Sequence, residues 1–246
     1  MIIILIMFYF DTIQGKKVLK SDKLNLAEHF FTTRETIIKS KEPDKQDLVE
    51  ENRNLIKKYL GVGELISPSQ THSVNVDFAT VGKVDYPETD ALILKNFEQG
   101  IFLNFADCTP IILYDKKQNI GAISHAGWRG TVQKIVPKTV EKMGSSPKDV
   151  TAVIGPTIGL CCYEVGEDVF NQLKSTVKDF EGLYDGNKVD LKGINARQLE
   201  EIGVEDIDIC PYCTSCNNDL FFSYRKENGT TNRHSAVLRL KQPSQK

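Results

Sequence analysis

The sequence predicts an α/β fold, with mixed β-sheets and flanking helices in a single domain spanning residues 1–246. Strand-like apolar runs alternate along the chain with helix-spaced ones, which is the pattern of a layered α/β domain. Most helices are spaced for crossovers while several strand pairs are close enough for hairpins, so the sheet is expected to be mixed. A hydrophobic content of 40% with 26% charged residues is that of an ordinary globule able to bury its own core.

The apolar start, Met1 to Phe10, is expected to be an N-terminal strand or extension. It is about half the length of a membrane-spanning helix and lacks the basic flank and cleavage site of a signal peptide. Lys39 to Asp47 is the most polar run and is expected to be a loop feeding a helix, with Asp44 as its cap just after Pro43. Leu48, Val49, Asn52, Leu55, Ile56, Tyr59 and Leu60 then follow helical spacing, and Gly61 stops the helix. Ile101–Phe105, Ile111–Tyr114 and Ile120–Ala126 are strand-like. Val132, Ile135, Val136, Val140 and Met143 mark a helix after Gly130, and Pro137 predicts a late start or a kink in it. Val150–Ile154 is a short buried strand, Val165–Leu173 and Leu191–Ile202 are helical, and Ala236–Leu240 is a final strand.

Net charge is −2, from 31 basic and 33 acidic residues, which argues against a general nucleic-acid binder. The six cysteines follow no secretory signal, so the default compartment is a reducing cytoplasm with free or metal-bound thiols. Adjacent Cys161 and Cys162 are poorly placed to pair with each other.

Two of the four histidines, His72 and His125, lie in segments that look like site loops. The first sits in the polar, turn-rich stretch Pro68–Val74, and the second ends a strand just before Gly127-Trp128-Arg129-Gly130. Between them, Ala106-Asp107-Cys108-Thr109-Pro110 interrupts two strands. Strand ends are where α/β folds gather ligands. His72, Cys108 and His125 could therefore converge on zinc, and three protein ligands would leave a fourth, catalytic position open. Separations of 36 and 17 residues obey no short spacing rule, so the same residues also fit two loop histidines and a buried thiol. Cys210, Cys213 and Cys216 form two successive CxxC steps, but a closed site needs a fourth ligand, which Cys161 or Cys162 could supply only through the fold. No catalytic metal is expected there. Arg34, Arg129, Arg225 and Arg233 stand near apolar turns, where an arginine can clamp an anion or stack on a base, or simply form a surface ion pair.

Several strings carry a resemblance: Gln70-Thr71-His72, Thr89-Asp90-Ala91-Leu92, Ala106-Asp107-Cys108-Thr109-Pro110, His125-Ala126-Gly127-Trp128-Arg129-Gly130-Thr131, Ile154-Gly155-Pro156, Cys162-Tyr163-Glu164-Val165, Phe221-Phe222-Ser223-Tyr224-Arg225 and Thr231-Asn232-Arg233. In these strings and their order, from about Phe30 to Leu240, the chain resembles the laccase-domain (YfiH-type, polyphenol-oxidase-like) family. It departs in two places. The short, charged Glu35–Asp47 replaces a Gly/Ser-rich stretch that could cover substrate, and Asn232 replaces a usual glycine in a tight turn.

The resemblance implies a single YfiH-like domain and zinc at His72, Cys108 and His125. It also implies a purine nucleoside enzyme, acting by phosphorolysis of adenosine, inosine, guanosine or methylthioadenosine and by deamination of adenosine. In that reading Cys108, His125 and Asp107 are catalytic. Asp107 would move a proton or support a histidine, and Arg129, Arg225 and Arg233 would bind substrate and phosphate. The partners implied are small molecules, with no nucleic acid and no membrane. A cysteine- or zinc-dependent hydrolase editing peptidoglycan precursors is an alternative, with Cys108 as nucleophile and His72 or His125 as base. A non-enzymatic metal- or nucleoside-binding protein is another. Copper-dependent phenol oxidation is disfavoured, because four histidines cannot furnish several histidine-rich copper sites.

Overall fold

A computed structural model of the chain describes residues 7–242. The first six residues of the apolar start lie outside the described residues, and its remainder runs into the first strand. In chain order the strands are β1 (Phe8–Ile13), β2 (Lys16–Ser21), β3 (Ala27–Thr32), β4 (Glu64–Ile66), β5 (Val76–Phe78), β6 (Ala91–Leu94), β7 (Gln99–Phe105), β8 (Thr109–Asp115), β9 (Ile120–Ala126), β10 (Val150–Ile154), β11 (Tyr184–Asp185), β12 (Lys188–Val189), β13 (Asp206–Ile209) and β14 (His234–Leu240). The helices are α1 (Gln46–Leu60), α2 (Trp128–Val132), α3 (Ile135–Met143), α4 (Glu167–Lys174) and α5 (Leu191–Glu201).

Two six-stranded mixed sheets form, in the orders β1-β2-β3-β14-β7-β4 and β13-β10-β8-β9-β6-β5. Alternation along the strands explains how they stack, since successive side chains point to opposite faces. Phe31 of β3, Leu103 of β7 and Leu238 of β14 meet Ile112 of β8, Ile123 of β9 and Val153 of β10 in a core between the sheets. Their neighbours face outward. Phe30, Phe102 and Val237 pack under Ile56 and Leu60 of α1, and Ile111, Leu113 and Ala122 pack under Val136 and Val140 of α3 and Leu199 of α5. The result is a four-layer α-β-β-α stack. Each fully buried Leu, Ile or Phe contributes about 1.5–3 kcal/mol.

The expected helix over 48–60 forms, and it buries Val49, Asn52, Ile56 and Leu60 before Gly61 ends it at φ 63°. Asp44 does not cap it. Pro43 presets a 3-10 turn over Pro43–Lys45, and α1 starts only at Gln46 with no side-chain cap. The expected single helix after Gly130 is two. Lys134 at φ 58° separates α2 from α3, and Pro137 lies in the first turn of α3, where its missing N–H costs nothing. The hairpin β1–β2 turns on Gln14-Gly15, both at positive φ, as a tight two-residue loop requires.

The same end of the stack collects the chain's site-like loops. Loop 106–108 crosses from β7 in one sheet to β8 in the other. Antiparallel pairing sets Pro110 against His125 and Ala91 against Ser124, so the segment before β6 lies beside the end of β9. β10 and β13 are parallel neighbours ending at Ile154 and Ile209, so the segments that follow them emerge together.

Candidate active site

His72, Cys108 and His125 converge at this end, with one ligand atom from each lying within 4.8 Å of the others. The Cys108 Sγ to His72 Nε2 distance is 3.8 Å, and the two imidazole centroids are 4.9 Å apart. Zinc bound tetrahedrally at about 2.3 Å from sulfur and 2.0–2.1 Å from nitrogen would span an S···N edge of about 3.6 Å. The donor set therefore fits zinc with little movement.

The histidines are held by one carboxylate. Asp90, wholly buried, takes His125 Nδ1–H at 2.7 Å, the backbone N–H groups of Thr71, His72 and Ser73, and the Ser73 hydroxyl. This bond engages Nδ1 of His125 and leaves Nε2 free for the metal, the usual way a second carboxylate orients a ligating imidazole. His72 itself adopts φ 62°, a left-handed backbone that the Asp90 bonds hold in place. Gly127 lets the chain pass beneath the trio. A Cβ there would sit 2.9 Å from Cys108 Sγ and 3.1 Å from the His72 ring.

Electrostatics favour the thiolate of Cys108, the form that ligates, whereas His125 is held as imidazolium and must release a proton to bind a metal. Burial pushes the Cys108 thiol up, but the His125 and His72 rings more than offset this and bring it down to about 6. Burial pushes His125 down, whereas the Cys108 charge and the Asp90 hydrogen bond raise it to about 9. Burial also opposes ionisation of Asp90, but its bonds to His125, Thr71 and Ser73 hold it at about 2. Without a metal the trio is thus a thiolate–imidazolium pair braced by a carboxylate.

The trio opens on a cavity of about 730 Å³, a size typical of small-molecule sites. Among the described residues, Asp107 is the sole carboxylate lining it. It touches neither histidine, so the histidine-supporting role belongs to Asp90 instead. Asp107 accepts the Thr214 hydroxyl at 2.6 Å and the Arg225 backbone N–H at 2.7 Å, while its own carbonyl accepts Ile158 N–H. These bonds join three walls of the cavity and hold Asp107 at φ 86°.

Of the arginines, Arg225 and Arg233 line the cavity. Arg225 donates to the Glu164 carbonyl and lies over the Tyr163 ring, and Arg233 donates to the carbonyls of Thr230 and Asn232. Arg129 is not a lining residue, because its guanidinium stacks on Trp128 at 4.3 Å. Arg34 is an ion-pair residue, bound to Glu227 and stacked on Phe222.

Sequence reasoning missed Lys39 and Lys41, which lie in the run taken for a plain loop. Both line the cavity, and Lys39 pairs with Arg233 through an isolated β-bridge. Burial and the nearby charges of Arg53, Lys41 and Arg233 push Lys39 down, the mark of cations gathered without a carboxylate. Asn232 also finds its reason here. Its side chain donates to Glu42 at 2.7 Å and ties the two segments together, a bond no glycine could make.

The second cysteine group also assembles differently from its sequence pattern. Cys161, Cys162, Cys213 and Cys216 come together, whereas Cys210 is buried apart from them. No helix among the described residues is long and apolar enough to cross a membrane.

Known proteins resemble the chain over most of its length. The family described as multi-copper polyphenol oxidoreductase laccase matches residues 28–241. A purine nucleoside phosphorylase of Clostridium acetobutylicum is 35% identical over 190 residues, covering 74% of this chain and 78% of that protein. One from Bacteroides thetaiotaomicron is 32% identical over 208 residues, covering 74% and 76%. Among solved structures, the hypothetical protein YfiH of Bacillus licheniformis superposes with a TM-score of 0.84 at 27% identity, over 94% of this chain and 99% of that one. YlmD from Geobacillus stearothermophilus gives 0.84 at 26%, over 95% and 99%.

Proposed function

The chain belongs to the laccase-like, YfiH-type family, and from that premise we propose that it is a zinc-dependent purine nucleoside phosphorylase with adenosine deamination as a second activity. The observation that carries this reading is the combination of a three-donor His/Cys/His set with four cations, Lys39, Lys41, Arg225 and Arg233, around one cavity. His72, Cys108 and His125 would hold the metal. A zinc held there would supply Lewis acidity at the cavity, the chemistry that deamination at a purine C6 requires.

Phosphorolysis breaks the bond between the purine nitrogen and ribose C1′ and forms one from a phosphate oxygen to C1′. Arg225, Arg233, Lys39 and Lys41 are the groups that hold phosphate on that path. Tyr163 and Tyr224 offer aromatic faces to a purine. Asp107 is the lining carboxylate suited to manage the proton on the departing base. The test is chromatography of adenosine incubations with and without phosphate. Adenine and ribose 1-phosphate are expected only with phosphate, and inosine in either case. Neither product appearing rejects the reading.

A second reading rests on the lowered Cys108 thiol beside a His125 braced by Asp90, which is also the constellation of a cysteine hydrolase. Activity that survives zinc removal but is lost on alkylation of Cys108 would favour it. Copper-dependent phenol oxidation has little support. The other two histidines, His29 and His234, are buried in β3 and β14, and His29 already accepts the Ser21 N–H.

A further inference from the structure

We propose that Cys161, Cys162, Cys213 and Cys216 form a second metal site, a closed four-thiolate zinc centre that pins two walls of the cavity together. The topology builds it. Cys161 and Cys162 follow β10, Cys213 and Cys216 follow β13, and these parallel neighbours deliver both segments to one place. An isolated bridge between Thr157 and Cys213, with Thr214 N–H donating to the Thr157 carbonyl at 3.1 Å, sets their register. Each pair then sits on its own tight turn. Cys162 and Tyr163 donate to the Gly159 carbonyl, and Asn217 donates to the Cys213 carbonyl.

The four sulfur atoms all lie within 4.8 Å of one another, and Cys216 is 3.5 Å from both Cys161 and Cys162. Four thiolates at about 2.3 Å from one zinc are separated by about 3.8 Å, so the observed spacing brackets a tetrahedral set. No pair is joined as a disulfide. A cluster with bridging sulfides would force the thiolates farther apart. Apolar packing does not explain the gathering either, because Cys161 and Cys216 are exposed. Two further features suit thiolates around an ion. Gly159 donates its N–H to Cys213 Sγ at 3.2 Å, a bond that steadies negative sulfur. A Cβ on Gly159 would come within 3.2–3.5 Å of Cys213 and of Cys161 Sγ, crowding the cradle.

Four protein ligands leave no open position, so this centre is structural. Its effect reaches the cavity through the next residue on each strand of the clamp. Tyr163 follows Cys162 and lines the cavity, and Thr214 follows Cys213 and holds Asp107.

The experiment is elemental analysis with zinc K-edge absorption on the full chain purified under reducing conditions. Two zinc equivalents are expected in the wild type. The Cys161→Ser/Cys216→Ser variant should lose one and Cys108→Ala the other. In Cys108→Ala the remaining zinc should show sulfur neighbours alone at about 2.3 Å. Should the double variant fail to fold, wild-type protein stripped with chelator and titrated with cobalt should saturate at two equivalents, one with the absorption of four thiolates. A single equivalent that Cys108→Ala abolishes, iron in place of zinc, nitrogen neighbours in Cys108→Ala, or a disulfide among these cysteines in freshly purified protein would overturn the proposal.

Discussion

The two thiol-bearing clusters stand at the same end of the same stack, and they differ in ways that set their chemistry. One combines two imidazoles with a single sulfur, is braced from behind by Asp90, and faces a cavity. The other is all sulfur and sits on two tight turns, and its four donors would fill every coordination position of an ion. An ion at the first retains a free position for substrate, and one at the second can only hold the chain. On the proposed reading, neighbouring strand ends of one fold are given to catalysis or to architecture by the choice of donors alone.

The comparison breaks most visibly at Cys108. Cys108→Ala removes the sole sulfur of the open set, and nucleoside turnover is expected to fall below detection while the far-ultraviolet circular dichroism stays native. Asp90→Asn is expected to weaken zinc binding or turnover by about 10–100-fold, the range for losing an outer-shell partner, as read by zinc titration against a competing chelator. At the other cluster the order of effects should reverse. Cys161→Ser/Cys216→Ser is expected to lower the melting temperature, at about 2–4 °C per kcal/mol for a domain this size, and to spare most of kcat. A scanning calorimeter and a phosphate-dependent assay on one preparation read both. Within the cavity, Arg225→Ala is expected to raise KM for phosphate about tenfold, equivalent to about 1.4 kcal/mol, and to leave deamination nearly unchanged.

A further expected effect lies outside both clusters. Burial pushes His29 down to about 4, against an ordinary 6.5, and its Nε2 accepts the Ser21 N–H only when neutral. The unfolded chain therefore binds more protons between those values. The stability is complete above pH 6.5 and is lost as pH falls through 4. Urea midpoints across that window should decline, and His29→Gln, which keeps an acceptor, should flatten the decline.

How far the sequence discloses this arrangement depends on the range of the forces involved. Periodicity discloses α1 and the strands near 101–126, because one buried face is written into each run. It misses the start of α1, where Pro43 diverts the chain into a turn, and the break at Lys134, a single left-handed residue. The three candidate donors of the open set stand out as His and Cys in loop-like strings. Asp90 does not, since its five hydrogen bonds depend on β6 lying between β5 and β9. Lys39 and Lys41 look like solvated charge until Arg233 folds against them. The four-cysteine cluster is the sharpest case. The CxxC repeat points to Cys210, but the parallel pairing of β10 with β13 selects Cys161 and Cys162 instead.

The claim that chemistry resides at the open cluster and not the closed one comes down to a single measurement. Adenosine and phosphate are incubated with stripped protein, zinc-restored protein, Cys108→Ala and Cys161→Ser/Cys216→Ser, at a temperature where all four are folded, and ribose 1-phosphate is quantified. The account predicts product from zinc-restored protein and from the double variant, and none from stripped protein or Cys108→Ala. Product from Cys108→Ala, or its loss from the folded double variant alone, would contradict it.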